Sequence, residues 1–133
     1  MTSIVRNQWY VAAYGREVGR DLFSRTICGE SILFWRTEGG QVTAMSDRCV
    51  HRRFPLSESP SHLVGDTVVC GYHGFTYGSD GVCVAVPGQT RVPRTARLKS
   101  SRPTSRPYAA TYHWSRTIEV MAFLLRWRAW RER

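Results

Sequence analysis

The chain has 133 residues and 42% hydrophobic content, which fits one domain with a real core. Its net charge of +9 suggests a nucleic-acid or anionic-membrane ligand, but residues 1–93 are net +1 and residues 94–133 are net +8. The near-neutral front excludes a nucleic-acid-binding face, and four Cys without a leader-like or membrane-spanning apolar run point to a reducing cytoplasm and no disulfide framework.

Residues 7–14, Asn-Gln-Trp-Tyr-Val-Ala-Ala-Tyr, form a short aromatic and apolar run that predicts a strand. Gly15 and Gly19 bracket a turn. Thr26-Ile27-Cys28 leads through Gly29-Glu30 into the β-forming run Ser31–Arg36. Glu38-Gly39-Gly40 reads as a hairpin turn and 41–45 as the returning strand. After a Pro- and Ser-rich interval, Val64–Val69 predicts a turn and strand; Gly74–Tyr77, the turn 78–81 and Val82–Val86 repeat the pattern. Helical periodicity is absent over this front portion, so the expected class is all-β.

Two clusters interrupt the strands: Cys49-Val50-His51 and Cys70-Gly71-Tyr72-His73. Ligands at C-x-H and C-x-x-H spacing are too close to share a helix face and belong on two loop tips that bring four side chains together. Two Cys with two His is the ligand set of a Rieske [2Fe-2S] centre; it also suits a structural tetrahedral zinc. Zinc patterns keep like ligands together, whereas each loop here carries one of each. Cys49 and Cys70 would then hold one iron, and His51 and His73 the other. Cys28 and Cys83 are expected to be small buried apolar residues, and His62 and His113 lack partner ligands.

The stretches Asn7–Ala13, Cys49-Val50-His51-Arg52, Pro55-Leu56-Ser57, Val64-Gly65-Asp66, Cys70–Phe75 and Val86-Pro87-Gly88-Gln89 resemble the N-terminal domains of Rieske non-haem iron oxygenases, especially the vanillate O-demethylase-like, aromatic-ring-modifying group. The resemblance covers about the first hundred residues. It implies an antiparallel β sandwich with a small cluster-binding subdomain, residues 1–99 with cluster-binding loops at 47–90. It further implies Cys49, His51, Cys70 and His73 as ligands and a reductase or ferredoxin as electron donor. Unlike the respiratory-chain type, neither loop has an extra Cys for a disulfide, and Phe75 stands where that type has a Ser; both differences imply a low potential. Tyr77 is a candidate to orient a ligand, Pro87 and Gly88 to shield the cluster, and Arg48, Arg52 and Arg53 to dock an acidic donor.

The resembling oxygenases continue into a catalytic domain with a mononuclear iron on two His and a carboxylate; no such set is visible here, so oxygen chemistry is not expected of this chain itself. Residues 100–133 read instead as an atypical basic tail, irregular or helical, consistent with a shifted frame or truncation after about residue 99 that would leave the sheet without its final strands. Thr117–Trp130 is an alternative interfacial helix, although a membrane partner is not expected. The expected function is single-electron transfer as the N-terminal part of an aromatic-ring-modifying or O-demethylating oxygenase. The alternatives are a stand-alone Rieske ferredoxin and a zinc-stabilised binding module.

Overall fold

The computed structural model describes residues 9–101, 104–108 and 120–126, and these form three antiparallel sheets. One sheet has the order β1-β11-β10, from Trp9–Tyr14, Val120–Arg126 and Thr104–Tyr108. The second is β2-β3-β4-β9, from Phe23–Ile27, Glu30–Arg36, Val42–Ser46 and Ser100–Ser101. The third is β5-β6-β7-β8, from His62–Val64, Thr67–Val69, Thr76–Tyr77 and Cys83–Ala85.

Two hairpins fix the register of the middle sheet. Ile27 pairs with Glu30, so Cys28-Gly29 is a two-residue loop, with φ of 52° and 81°. Positive φ at both central residues is the type I′ turn, whose twist matches that of the strands it joins. Cys28 therefore lies in a turn rather than in the strand run and is only half-buried, which corrects the expectation of a buried apolar residue; Cys83, by contrast, is buried. The second hairpin turns at Thr37–Gln41 with Gly40 at φ 81°, where the Glu38-Gly39-Gly40 signal placed it.

The unbroken run Ile32-Leu33-Phe34-Trp35 shows no polar alternation because both faces of β3 are covered. Ile32 and Phe34 pack with Ala12, Ala13, Val18, Ile27, Val42 and Ala44 in one core. Leu33 and Trp35 face the other way, into a core shared with Met45, Cys49, Leu56, Val68, Cys70 and Tyr77. Successive side chains of a strand point to opposite faces, so this one run joins the main sandwich to the subdomain that carries both Cys-His clusters.

Polar contacts lock the subdomain in place. Arg20 donates to Asp66 Oδ1 at 2.9 Å, to the Gly65 carbonyl at 2.7 Å and to the Arg36 carbonyl at 3.0 Å; the Glu38 amide donates to the same Asp66 oxygen at 2.7 Å. The β5–β6 turn is thereby tied to the end of β3 and the turn that follows it.

The tail departs from expectation. Val120–Arg126 is a strand and not part of an interfacial helix; it pairs antiparallel with β1 on one side and β10 on the other. A six-residue apolar run ending in Arg126, beside a strand with open N–H and C=O groups, satisfies both backbones by pairing. Pro107 sits in β10, an edge strand of its sheet among the described residues, the kind of strand in which proline is tolerated. His113, Trp114, Trp127 and Trp130 lie outside the described residues.

Candidate metal centre

Both ligand loops are built on one backbone plan. In the first, the Cys49 amide donates to the Phe54 carbonyl at 2.9 Å and the Arg53 amide to the Cys49 carbonyl at 2.8 Å, with Arg53 at φ 57°. In the second, the Cys70 amide donates to the Phe75 carbonyl at 2.8 Å and the Gly74 amide to the Cys70 carbonyl at 2.9 Å, with Gly74 at φ 72°. Cys49 thus matches Cys70, Arg53 matches Gly74 and Phe54 matches Phe75. The left-handed residue is Gly in only one of the two loops, so the repeat is hidden in the sequence.

The aromatic packing repeats as well. His51 stacks on Phe75 with ring centroids 4.8 Å apart and planes 9° apart, while Tyr72, at the matching position of the second loop, packs on Phe54 at 5.7 Å. Each loop lays the second residue after its Cys against the Phe of the other loop. His73 follows one residue later than His51 does in its own loop, and its ring sits 4.6 Å from that of His51.

The four predicted ligand residues are gathered in two pairs. Cys49 and Cys70 share one buried core, and both residues are 2% exposed. Burial pushes the Cys70 thiol above the ordinary thiol range, and the neighbouring Cys49 adds to this. His51 and His73 are both exposed. Desolvation lowers the His73 pKa, and the positive charge of His51 and Arg52 beside it lowers it further. Among the described residues no three His, Cys, Asp or Glu side chains converge closely enough to hold one metal ion. Two separate pairs, one of thiols and one of imidazoles, fit a two-iron cluster in which each iron takes two protein ligands.

Tyr77 is fully buried. Its phenolic oxygen accepts from the Val50 amide at 3.2 Å and lies 3.1 Å from Cys49 Sγ. Either group can donate in the Tyr77–Cys49 contact as it stands; toward a thiolate sulfur the phenol is the donor. The candidate orienting role therefore has the necessary geometry, and burial together with Cys49 pushes the Tyr77 phenol well above its ordinary pKa, which keeps it a donor. Pro87 closes on the second loop: a Cβ built on Gly74 would meet Pro87 Cγ at 2.8 Å.

Sequence reasoning missed three supports. Asp47 is 2% exposed and accepts from Ser31 Oγ at 3.0 Å, the Ser57 amide at 2.7 Å and Ser57 Oγ at 2.7 Å, pinning both ends of the first loop to β3. Gly71 lies so close to Pro60 and Ser61 that an added Cβ would stand 2.5 Å from the Ser61 nitrogen; its amide donates to Ser61 Oγ at 2.9 Å. Arg20 acts at a distance, through Asp66. A Ser-Asp pair just ahead of the first Cys was the one available signal. His62 is exposed at the start of β5, with Nδ1 3.0 Å from the Pro60 carbonyl oxygen, and belongs to no ligand group. The described cysteines form no disulfide.

The family described as "Rieske [2Fe-2S] domain" matches residues 8–99, well over half of the chain. The chain is 41% identical over 97 residues to the toluene-4-sulfonate monooxygenase system iron-sulfur subunit of Comamonas testosteroni, covering 72% of this chain and 27% of that protein. It is 42% identical over 85 residues to the vanillate O-demethylase oxygenase subunit of a Pseudomonas strain, covering 63% and 23%. The crystal structure of dicamba monooxygenase bound to dicamba superimposes with a TM-score of 0.78 at 29% identity over 96% of this chain and 34% of that one. The chain therefore spans about a quarter of the length of the curated relatives it matches. The structural likeness extends past the family match and takes in strands beyond residue 99.

Proposed function

This chain belongs to the Rieske [2Fe-2S] domain family, and we propose that it relays single electrons as the N-terminal part of an aromatic-ring-modifying or O-demethylating oxygenase. Its cofactor is a [2Fe-2S] cluster. Cys49 and Cys70 would hold one iron and His51 and His73 the other; when bound, such a cluster supplies one-electron exchange. The zinc alternative does not fit this family.

The observation that carries the reading is the division of the donors: thiols buried, imidazoles exposed. Buried Cys49 and Cys70 keep water from the sulfur side, with Tyr77 fixing the Cys49 rotamer. Exposed His51 and His73 present ring edges to a partner and can exchange a proton with solvent as the electron moves. Phe75 holds the His51 plane by stacking. The partners are a reductase or ferredoxin donor and a mononuclear-iron catalytic domain; relatives that are oxygenase subunits favour this over a stand-alone carrier. The unit responsible is residues 1–99, with loops 47–90, in the cytoplasm. Phe75 without a hydroxyl and loops without a disulfide set the potential in the lower part of the roughly −150 to +300 mV Rieske range.

The test is anaerobic reconstitution of the full chain, followed by electron paramagnetic resonance of the reduced state for wild type and His73→Cys. A Rieske spectrum that changes in the variant is expected. An unchanged spectrum in the variant removes His73 from the ligand set, and a colourless protein with one zinc overturns the reading.

A further inference from the structure

A cavity of about 330 Å³ opens beside the first ligand loop; its wall contains Arg48, Arg53, Arg97, Lys99, Cys49 and Val50 and neither histidine. The sequence had grouped Arg48, Arg52 and Arg53; folding separates them. Arg52 stands beside His73, whereas Arg48 and Arg53 join Arg97 and Lys99 from the stretch before β9. Arg53 lies in this wall with a left-handed backbone, at φ 57°.

All four cations are exposed, and Glu30, also exposed, is the only carboxylate in the wall. Among the described residues Arg48, Arg53 and Arg97 have no side-chain hydrogen-bond or ion-pair partner. Arg48, Arg53 and Arg97 held together repel, and an occupying carboxylate lowers that cost while gaining charge-assisted hydrogen bonds from their guanidinium groups. Val50, 39% exposed, gives the rim an apolar contact. Behind it the Val50 amide meets the Tyr77 hydroxyl, which meets Cys49 Sγ.

We infer that this cavity is the docking site for carboxylate side chains of the acidic electron-donor protein, seating it over Val50 and against the Cys49 loop rather than on the exposed histidine edge. The inference rests on the electron-relay reading above. The histidine edge is thereby left free for the acceptor, so donor and acceptor need not exchange places. Four cations beside a cluster-bearing loop favour an acidic protein over a lone anion, because the cavity opens onto a surface with an apolar contact that a small anion does not use.

The test uses the reconstituted full chain and an acidic plant-type [2Fe-2S] ferredoxin as probe, with binding measured by calorimetry at low and moderate salt. Arg48→Glu with Arg97→Glu is expected to weaken binding at least tenfold and flatten its salt dependence, while Arg52→Glu changes it less than threefold. Where the double reversal does not fold, Arg48→Gln with Arg97→Gln carries the same test. Equal loss in Arg52→Glu, binding unaffected by the double variant, or no binding by the wild type overturns the docking site. So does tight binding of inorganic phosphate that leaves ferredoxin affinity unchanged. An intact reduced-state Rieske signal in every variant separates these outcomes from failure of the relay reading itself.

Discussion

Cys49 Sγ and the Tyr77 hydroxyl, 28 residues apart in the chain, stand 3.1 Å from one another in the interior, and the Val50 amide donates to the same hydroxyl oxygen at 3.2 Å. A hydrogen bond to a cluster sulfur stabilises the more negative, reduced state and raises the potential. Tyr77→Phe removes it. The midpoint should fall by about 60 mV, corresponding to about 1.4 kcal/mol for one electron. Voltammetry of the two reconstituted proteins checks this, and an equal midpoint would assign Tyr77 to packing alone.

Gly71 and Gly88 provide a paired test of loop architecture. An alanine Cβ at Gly71 would stand 2.5 Å from the Ser61 nitrogen, and backbone cannot yield as a side-chain tip can; at Gly88 nothing lies within 4 Å and only φ of 75° opposes the change. Gly71→Ala should cost about 3 kcal/mol and reduce cluster content, whereas Gly88→Ala should cost about 1 kcal/mol. Urea unfolding with iron quantification would rank the two.

Asp47 is the buried strut of the first loop. Asp47→Ala strands the Ser57 amide and the two hydroxyls that the carboxylate receives, so a loss of about 2–3 kcal/mol is expected. Thermal unfolding of the apo chain measures this without any contribution from the cluster. A change within 0.5 kcal/mol would mean that water replaces the carboxylate.

Glu17 sets a pH dependence at the start of the fold. Its carboxylate accepts from the Tyr14 amide at 2.7 Å and from Arg25 at 3.0 Å, and these bonds lower its pKa below the ordinary 4.5. A lowered carboxylate pKa means that the unfolded chain binds the proton more readily, so the stabilisation is present above 4.5 and is lost as pH falls through the folded value. Acid titration of unfolding should show a shallower fall below pH 4.5 in Glu17→Gln than in wild type.

The local signals that the sequence carried were of short range. Mixed Cys-His spacing gave the four candidate ligands, Glu38-Gly39-Gly40 gave one of the two hairpins of the middle sheet, and the absence of helical periodicity gave the all-β class. The hairpin and the all-β class survive because turn chemistry and strand alternation are decided by neighbours along the chain. The unalternating run Ile32–Trp35 was read as a strand, but its two buried faces, and so its place between both cores, became visible only with the partners in position.

Only tertiary structure decided which distant residues share a site. Tyr77 was a candidate from its position, yet the tertiary fold alone placed its hydroxyl on Cys49 rather than on another ligand. The fold split three neighbouring arginines and joined two of them to Arg97 and Lys99, and it revealed the two loops as copies although Arg53 and Gly74 share no sequence likeness. The tail misled for a related reason: an apolar run with scattered Arg has no fixed structure by itself, and Val120–Arg126 became a strand because β1 offered open backbone groups beside it. Residue identity thus determined the chemistry of the centre, while long-range pairing and burial decided its geometry, because sequence neighbours alone cannot say which distant backbone and side-chain groups will satisfy one another.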